Sequence, residues 1–317
     1  MEWGEDANLR EWPLRAASHR PTRLHYFQKK RYLLTLMTGG CTAGAKRIGS
    51  RYFLFKNRDL IWSDFSDDVV FDDDVFFVRG VDSRTRETTG AALGVNRWGL
   101  AAANTTVLAT EDSPYDLLLE RILRECKDIE SAMTMVQQDL VSGSRYQWTN
   151  FVLADRTMVA AIEMAKGEAQ LETDLAMITR TNHHLLLPTV EAMKSAPPEV
   201  REAGGPLQTS QKRRQVAARI LETATSKQDF IQLLSTHSES RGFDSICRHW
   251  AENAYHEPFR GATIYSYIIE VLDIGLSDLD IRVSVARGNP CSNTFFEFEI
   301  EFDAPLPERE TVLNSFP

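Results

Sequence analysis

The sequence predicts an α+β domain in which antiparallel β-sheets are sandwiched between helices. A β-rich pattern follows Cys41, amphipathic helical patterns occupy the middle of the chain, and β patterns return in its last part. Strands, then helices, then strands indicate two kinds of layer packed around shared apolar cores. No internal repeat and no low-complexity linker interrupts this order.

The predicted strands are short runs rich in β-branched, aromatic and aliphatic residues. The first clear one covers residues 51–56 and leads directly into Asn57-Arg58-Asp59. The others are residues 148–154, 158–163, 176–180, 262–271, 280–286 and 294–302.

An acidic stretch runs from Asp64 to Asp74, with valine and phenylalanine between the aspartates. Its spacing matches no calcium loop, although oxygen-ligand metal binding is an alternative. We expect a solvated loop between two strands.

Helix signals are clearest around Ser113-Pro114, where serine can cap a helix and proline suits its first position. A second helix is expected over residues 128–140. A third is expected over residues 211–223 after a Thr209/Ser210 cap, and a fourth over residues 227–235.

Composition and charge exclude several classes of function. The net charge is -9 and the pI is near 5.4, which argues against a nucleic-acid partner because phosphates need a basic face. No apolar run is long enough to span a bilayer, so we expect a cytoplasmic protein with no membrane partner. The oligomeric state is left open.

Cysteine usage indicates free thiols in a reducing compartment. The four cysteines are widely spaced, with no CxxC pair and no zinc-like cluster, so no metal and no cofactor are predicted. They are Cys41, Cys126, Cys247 and Cys291.

Residues 1–40 form a basic segment in an otherwise acidic chain, and Pro13 and Pro21 interrupt it. Such a segment is either a propeptide or an extension from an upstream start codon. The predicted domain then covers residues 41–317.

The Gly39-Gly40-Cys41 sequence gives Cys41 an unusually bare backbone approach. That exposure suits chain cleavage between Gly40 and Cys41, or access of a substrate to the sulfur. Once freed, the α-amino group of Cys41 titrates near ~8 and its thiol near ~8.5, so the amine can act as the base for the thiol. The alternative is a glycine turn followed by a small buried residue.

Seven short motifs in one order resemble the acyl-CoA:6-aminopenicillanic acid acyltransferase family, which includes isopenicillin N acyltransferase and carcinine hydrolase relatives. The resemblance runs from Cys41 to about Phe302 and implies the N-terminal-nucleophile (Ntn) hydrolase fold, a four-layer αββα sandwich of two antiparallel sheets. Members cut themselves before a nucleophilic cysteine, then cleave or transfer acyl groups on amides. The motifs are Cys41-Thr42, Asn57-Arg58-Asp59, residues 94–104, Asn150-Phe151 with Ala154-Asp155, Thr181-Asn182-His183, Ser245-Ile246-Cys247-Arg248-His249 and Gly288-Asn289-Pro290-Cys291.

The resemblance implies four catalytic residues. Cys41 is the nucleophile that forms a thioester. Asp59 accepts a hydrogen bond from the freed α-amino group. Asn182 stabilises the oxyanion as a neutral donor. Arg248 holds either Asp59 or a substrate carboxylate.

Two further residues are expected to contact the substrate. Asn104 resembles an asparagine that supports the oxyanion or the substrate. Arg58 either holds a substrate carboxylate or pairs with Asp59. His183 and His184 are left out of the chemistry, because the resemblance gives the role of base to the α-amino group.

The remaining cysteines receive no catalytic role. Cys247 departs from family members that carry serine at this position, which leaves its role open. Cys126 and Cys291 are assigned to packing.

The predicted function is that of a cysteine Ntn amidohydrolase or acyltransferase acting on a linear, non-peptide amide. The partner is a small-molecule acyl amide, with an acyl-CoA as a further candidate. One alternative is another Ntn branch, such as a dipeptidase, a bile-salt or penicillin V acylase, or a ceramidase-like amidase. Another is a non-catalytic binding module that keeps the fold.

Overall fold

The computed structural model describes residues 40–60, 65–83, 85–190, 205–249, 261–275 and 278–317. The predicted N-terminal extension lies outside these residues, except for Gly40. Its boundary with the domain stays a prediction.

Thirteen strands in the described residues form two antiparallel sheets. One sheet has six strands in the order β10-β1-β2-β11-β12-β13, and the other has seven in the order β3-β4-β5-β6-β7-β8-β9. The strands are β1 (Gly40–Ile48), β2 (Arg51–Leu60), β3 (Phe65–Phe71), β4 (Val75–Asp82), β5 (Thr88–Asn96), β6 (Ala101–Leu108), β7 (Trp148–Ala154), β8 (Val159–Ala165), β9 (Glu168–Asp174), β10 (Met177–Arg180), β11 (Ala262–Gly275), β12 (Asp278–Arg287) and β13 (Phe296–Glu299).

Five helices in the described residues accompany the sheets. The first two pack on the seven-stranded sheet, and the third and fourth pack on the six-stranded sheet. They are α1 (Tyr115–Glu125), α2 (Ile129–Val141), α3 (Pro206–Thr223), α4 (Lys227–Leu234) and α5 (Leu306–Ser315).

Three apolar clusters separate the four layers. The largest lies between the two sheets and includes Ala43, Leu54 and Val152. Because central strands are covered on both faces, β7 and β8 are buried along their whole length, which explains their nearly unbroken apolar sequences. The predicted αββα sandwich of two antiparallel sheets is therefore confirmed.

The acidic stretch is not the predicted loop. Residues Phe65–Phe71 form strand β3, paired with β4, and only the turn after Phe71 is acidic and solvated. Asp67 is buried and pairs with Arg58, while Asp68 pairs with Arg79. These carboxylates have basic partners, so the stretch is an edge strand rather than a cation site.

Two helix starts also differ from prediction. Ser113 does not cap α1, because its backbone pairs with Arg145 and Gln147, and Pro114 occupies the cap position. Helix α3 begins at Pro206, so Ser210 lies inside it and not at its cap. No individual range was predicted for strands β1, β4, β5, β6 and β9 or for helix α5. Among the described residues, no helix combines the length and apolar character needed to cross a bilayer.

Candidate active site

Strand alternation places Cys41 between the two sheets. Cys41 pairs directly with Arg58 of β2, and Ala43 pairs with Lys56. Ala43 belongs to the cluster between the sheets, so Cys41, two residues away, faces the same side. Only 7% of Cys41 is exposed. The nucleophile candidate is thus a buried thiol on a rigid strand, with Lys56 and Arg58 as neighbours on its face.

Two side chains hold the backbone of Cys41. The Cys41 nitrogen donates to Oδ1 of Asn182 at 3.1 Å, and Nη1 of Arg213 donates to the Cys41 carbonyl at 2.7 Å. Arg213 also reaches Oδ1 of Asn182 through Nη2 at 2.6 Å. Because Oδ1 receives two N–H donors, the amide nitrogen of Asn182 must point the other way, toward the Thr106 carbonyl at 2.7 Å.

The loop that carries Asn182 is fixed by a buried carboxylate. Glu163 accepts the backbone N–H groups of Leu185, Leu186 and Leu187 at 2.8, 2.8 and 3.0 Å, and it pairs with the equally buried Arg180 at 3.1 Å. Ser210 contributes from α3, where its hydroxyl accepts the backbone N–H of Asn182 at 2.8 Å. The position of Asn182 therefore depends on contacts from both sheets and from one helix.

Arg213 is a site residue that the sequence analysis missed. On α3 its residue type is unremarkable, since arginine is common on solvated helix faces, yet it is 2% exposed. Burial, together with the neighbouring Arg248, lowers the pKa of Arg213 to about 9. No pattern in the sequence distinguishes it from Arg214 or Arg219; only the packing of α3 against β1 does.

Asp59 and Arg248 form a buried pair on the helix side of the six-stranded sheet. Oδ1 of Asp59 accepts from Thr263 at 2.7 Å, and Oδ2 lies 3.7 Å from Nη2 of Arg248. Burial raises the pKa of Asp59, and Arg248 and Arg213 oppose that shift. Of the two predicted partners of Arg248, the structure brings Asp59 to it.

Arg248 also lies against Gly40. A Cβ atom at Gly40 would be 2.5 Å from Nη1 of Arg248, so a side chain at this position would have to displace the guanidinium. Gly40 pairs with Asp59 across β1 and β2. The predicted cleavage bond, Gly40–Cys41, therefore has Arg248 and Asp59 on its glycine side and Asn182 on its nitrogen.

In the uncleaved chain Asp59 makes no hydrogen bond to the Cys41 nitrogen, so its expected contact with the freed α-amino group stays a prediction. The Cys41 nitrogen then carries a single hydrogen, which it donates in the hydrogen bond to Asn182. Oδ2 of Asp59 has no hydrogen-bond partner among the described residues.

Asn104 supports a buried lysine. Its Oδ1 accepts from Nζ of Lys56 at 2.8 Å, and its Nδ2 donates to the Ala91 carbonyl at 2.9 Å. Lys56 is fully buried, and burial lowers its pKa to about 8 while negative charge at Cys41 opposes that shift. Asn104 was predicted from the sequence as a site residue, whereas Lys56 was not.

Arg58 does not pair with Asp59, because alternation along β2 puts the two side chains on opposite faces. It pairs instead with Asp67 of β3, with Nε and Oδ1 2.7 Å apart. Tyr267 donates to Oδ2 of Asp67 at 2.7 Å. This pair bridges the two sheets beside Cys41, and the expected contact of Arg58 with a substrate carboxylate stays a prediction.

The two histidines after Asn182 are committed to other contacts. His183 faces the Ser210 hydroxyl at 2.8 Å, and burial lowers its pKa to about 4. His184 lies between the Thr189 hydroxyl and the Thr149 carbonyl. Both are neutral structural residues at physiological pH.

The four cysteines are free thiols. Cys126 packs in the core between the seven-stranded sheet and its helices, as predicted. The packing assignment of Cys291 is wrong, because this residue is exposed and its sulfur lies 3.6 Å from that of Cys247.

Comparison with known families places this geometry in context. The model of the family described as acyl-coenzyme A:6-aminopenicillanic acid acyl-transferase matches residues 49–271, well over half of the chain. The chain belongs to this family. The matched segment contains Asp59, Asn182, Arg213 and Arg248, whereas Cys41 precedes it. No individual curated protein matches the chain significantly.

Family membership and architecture agree. Two antiparallel sheets between helical layers are consistent with the Ntn hydrolase fold. The family indicates an acyltransferase- or hydrolase-type enzyme that acts on small-molecule acyl substrates.

Proposed function

We propose that this protein is a cysteine Ntn amidohydrolase that cleaves a linear acyl amide through a thioester on Cys41. The observation that carries the proposal is a pair of side-chain hydrogen bonds to the backbone of Cys41. Asn182 accepts one from the Cys41 nitrogen, and Arg213 donates one to the Cys41 carbonyl. A cysteine that serves only to fill the core does not need side chains that hydrogen-bond to its backbone. Such hydrogen bonds suit a nucleophile that must be held in one orientation.

Activation begins with cleavage of the Gly40–Cys41 bond. The Cys41 thiol attacks the Gly40 carbonyl, the C–N bond breaks as the acyl group moves to sulfur, and water hydrolyses the resulting thioester. The nitrogen of Cys41 takes up the proton and becomes an α-amino group. Arg248, which packs on Gly40, is placed to orient the bond for attack.

The freed amine gains hydrogen atoms that need acceptors. Asn182 already accepts one from this nitrogen, and Oδ2 of Asp59 is a buried oxygen with no hydrogen-bond partner in the described part of the chain. We assign Asp59 to the second hydrogen of the freed amine. Asp59 thereby has the role expected from the sequence, that of acceptor for the α-amino group, in the cleaved chain.

In turnover, the α-amino group takes the proton of the Cys41 thiol and the thiolate attacks the amide carbonyl. The second N–H of the Asn182 amide is the proposed donor to the oxyanion, since the first is held by Thr106. The amine product leaves with the proton, and water then hydrolyses the thioester. Protonated Lys56 stabilises the thiolate from the same face.

Hydrolysis is proposed ahead of acyl transfer because transfer requires the thioester to be shielded from water until an amine arrives. Adding a primary amine to the reaction distinguishes the two outcomes. A transferase yields the new amide in preference to the free acid.

The experiment compares wild type with Cys41→Ala, Cys41→Ser and Cys126→Ala on a panel of N-acyl amides. Loss of the nucleophile should reduce kcat/KM by more than about 1000-fold in Cys41→Ala. Cys126→Ala removes a different buried thiol and should retain turnover. Undiminished activity in Cys41→Ala would overturn the assignment.

A further inference from the structure

Four side chains outside the candidate active site converge on one point. The Nε2 atoms of His237 and His249 are 3.0 Å apart, and the sulfurs of Cys247 and Cys291 are 3.6 Å apart. His249 lies 3.7 Å from the Cys247 sulfur and 3.2 Å from that of Cys291. All four ligand atoms lie within 4.8 Å of one another.

Four of the six separations lie close to the edges of a metal tetrahedron. Zinc bonds of about 2.3 Å to sulfur and about 2.0–2.1 Å to nitrogen give edges of about 3.7 Å between sulfurs, about 3.3 Å between nitrogens and about 3.5 Å between the two kinds. These four edges differ from the ideal values by only a few tenths of an ångström, and the two from His237 to the sulfurs, at no more than 4.8 Å, would shorten on metal binding. We propose that His237, Cys247, His249 and Cys291 form a structural Cys2His2 zinc site.

The chemistry of the set favours zinc. Two thiolates and two imidazoles suit zinc in a closed tetrahedral site, whereas magnesium and calcium prefer oxygen ligands. The two thiolates also balance the charge of the ion. A disulfide would explain only why the two cysteines lie close together, and a hydrogen bond between imidazoles would explain only why the two histidines do. A shared metal explains why all four side chains converge.

The proposal departs from the sequence-based prediction of no metal. The ligands come from two segments far apart in the chain, so their spacing resembles no short zinc motif. One segment follows helix α4, and the other follows strand β12. Asn289 links the two segments, because its Nδ2 donates to the Arg248 carbonyl at 2.6 Å and lies 3.6 Å from the Cys247 sulfur.

The site has a consequence for Arg248, which lies between two of the ligands in the sequence. Zinc bound to Cys247 and His249 anchors the backbone on both sides of this arginine, and its side chain reaches Asp59 and Gly40. The metal is therefore assigned a positioning role. Zinc binding does not depend on the proposed function, although its effect on catalysis rests on that proposal.

The experiment measures zinc by mass spectrometry in full-length protein produced with added zinc and purified under nitrogen without chelators. Wild type should carry about one zinc per chain, whereas Cys291→Ser and His237→Gln should lose at least about 10-fold in affinity. Cys126→Ala and Ser292→Ala should keep the metal, because the first removes a thiol elsewhere and the second alters a neighbour of Cys291.

Cobalt(II) provides a second readout, since tetrahedral coordination by two thiolates gives visible and near-ultraviolet bands that Cys291→Ser should lack. Wild type that holds no zinc after incubation and gel filtration would overturn the proposal. Equal zinc in Cys291→Ser, or a Cys247–Cys291 disulfide in place of metal under nitrogen, would do the same. Inactive protein that carries zinc would contradict the proposed function and leave the metal site standing.

Discussion

The side-chain oxygen of Asn182 accepts a hydrogen bond from the backbone nitrogen of Cys41 at 3.1 Å. The two residues are 141 positions apart in the chain, and Arg213 bridges them by contacting both. This arrangement fixes both the nitrogen that we propose as the base and the amide that we propose as the oxyanion donor. One asparagine therefore couples the two functions that the proposed reaction requires.

Replacing Asn182 with alanine should reduce kcat by about 100- to 1000-fold, because an oxyanion donor is lost. KM should change much less, since the donor acts mainly on the transition state. Steady-state kinetics on the best amide substrate measure both values. Asn293→Ala, at an exposed asparagine, is the control, and an equal loss there would show that the effect is not specific.

Replacing Gly40 with alanine should slow chain cleavage by about 100-fold, because the added Cβ displaces Arg248 from the bond that is cut. The measurement is the rate at which freshly produced precursor is converted to the shorter chain. Gly49→Ala is the control for backbone strain alone, since a Cβ at Gly49 meets nothing within 4 Å while its φ of 63° disfavours alanine. Cleavage at the wild-type rate in Gly40→Ala would contradict the role given to Arg248.

The loop that carries Asn182 should depend on Glu163. Glu163→Gln leaves the buried Arg180 without its fully buried charge partner and should lower the free energy of unfolding by about 3–5 kcal/mol. Glu172 also contacts Arg180 but is 39% exposed along its side chain, so Glu172→Gln should cost at most about 1 kcal/mol. Urea unfolding of the two variants measures the difference, and equal losses would contradict this ranking.

Lys56 gives a prediction with a definite sign in pH. Its pKa is about 8 in the folded protein and 10.5 as a free side chain, so between these values the unfolded chain binds more protons. Stability contributed by Lys56 should therefore rise as the pH rises through this window, by on the order of 3 kcal/mol.

Comparison with Lys56→Met isolates this effect from other titrating groups. The free energy of unfolding of wild type relative to the variant should increase between about pH 7 and about pH 10. A constant difference across that range would contradict a buried lysine with a lowered pKa.

The sequence predicted the layers and most strands because period-two apolar patterns and helix signals are local. Ordered motifs predicted Asp59, Asn182 and Arg248 as site residues, and the fold brings them close to Cys41 or Gly40. Arg213 and Lys56 were not predicted as site residues. Both are buried beside Cys41, and burial of a charged residue cannot be read from its residue type. Cys291 was misjudged because its neighbours, Cys247 and two histidines, come from a distant segment. Asp67 was taken as a loop residue since the partner that buries it, Arg58, lies on another sheet.

The central claim is that Cys41 becomes the N-terminal residue and the nucleophile, and intact-mass spectrometry of the purified full-length product tests it most directly. We expect a mature chain that begins at Cys41 and takes up one alkyl group there. Cys41→Ala should remain uncut. A stable full-length wild-type chain whose Cys41 resists alkylation would contradict the account.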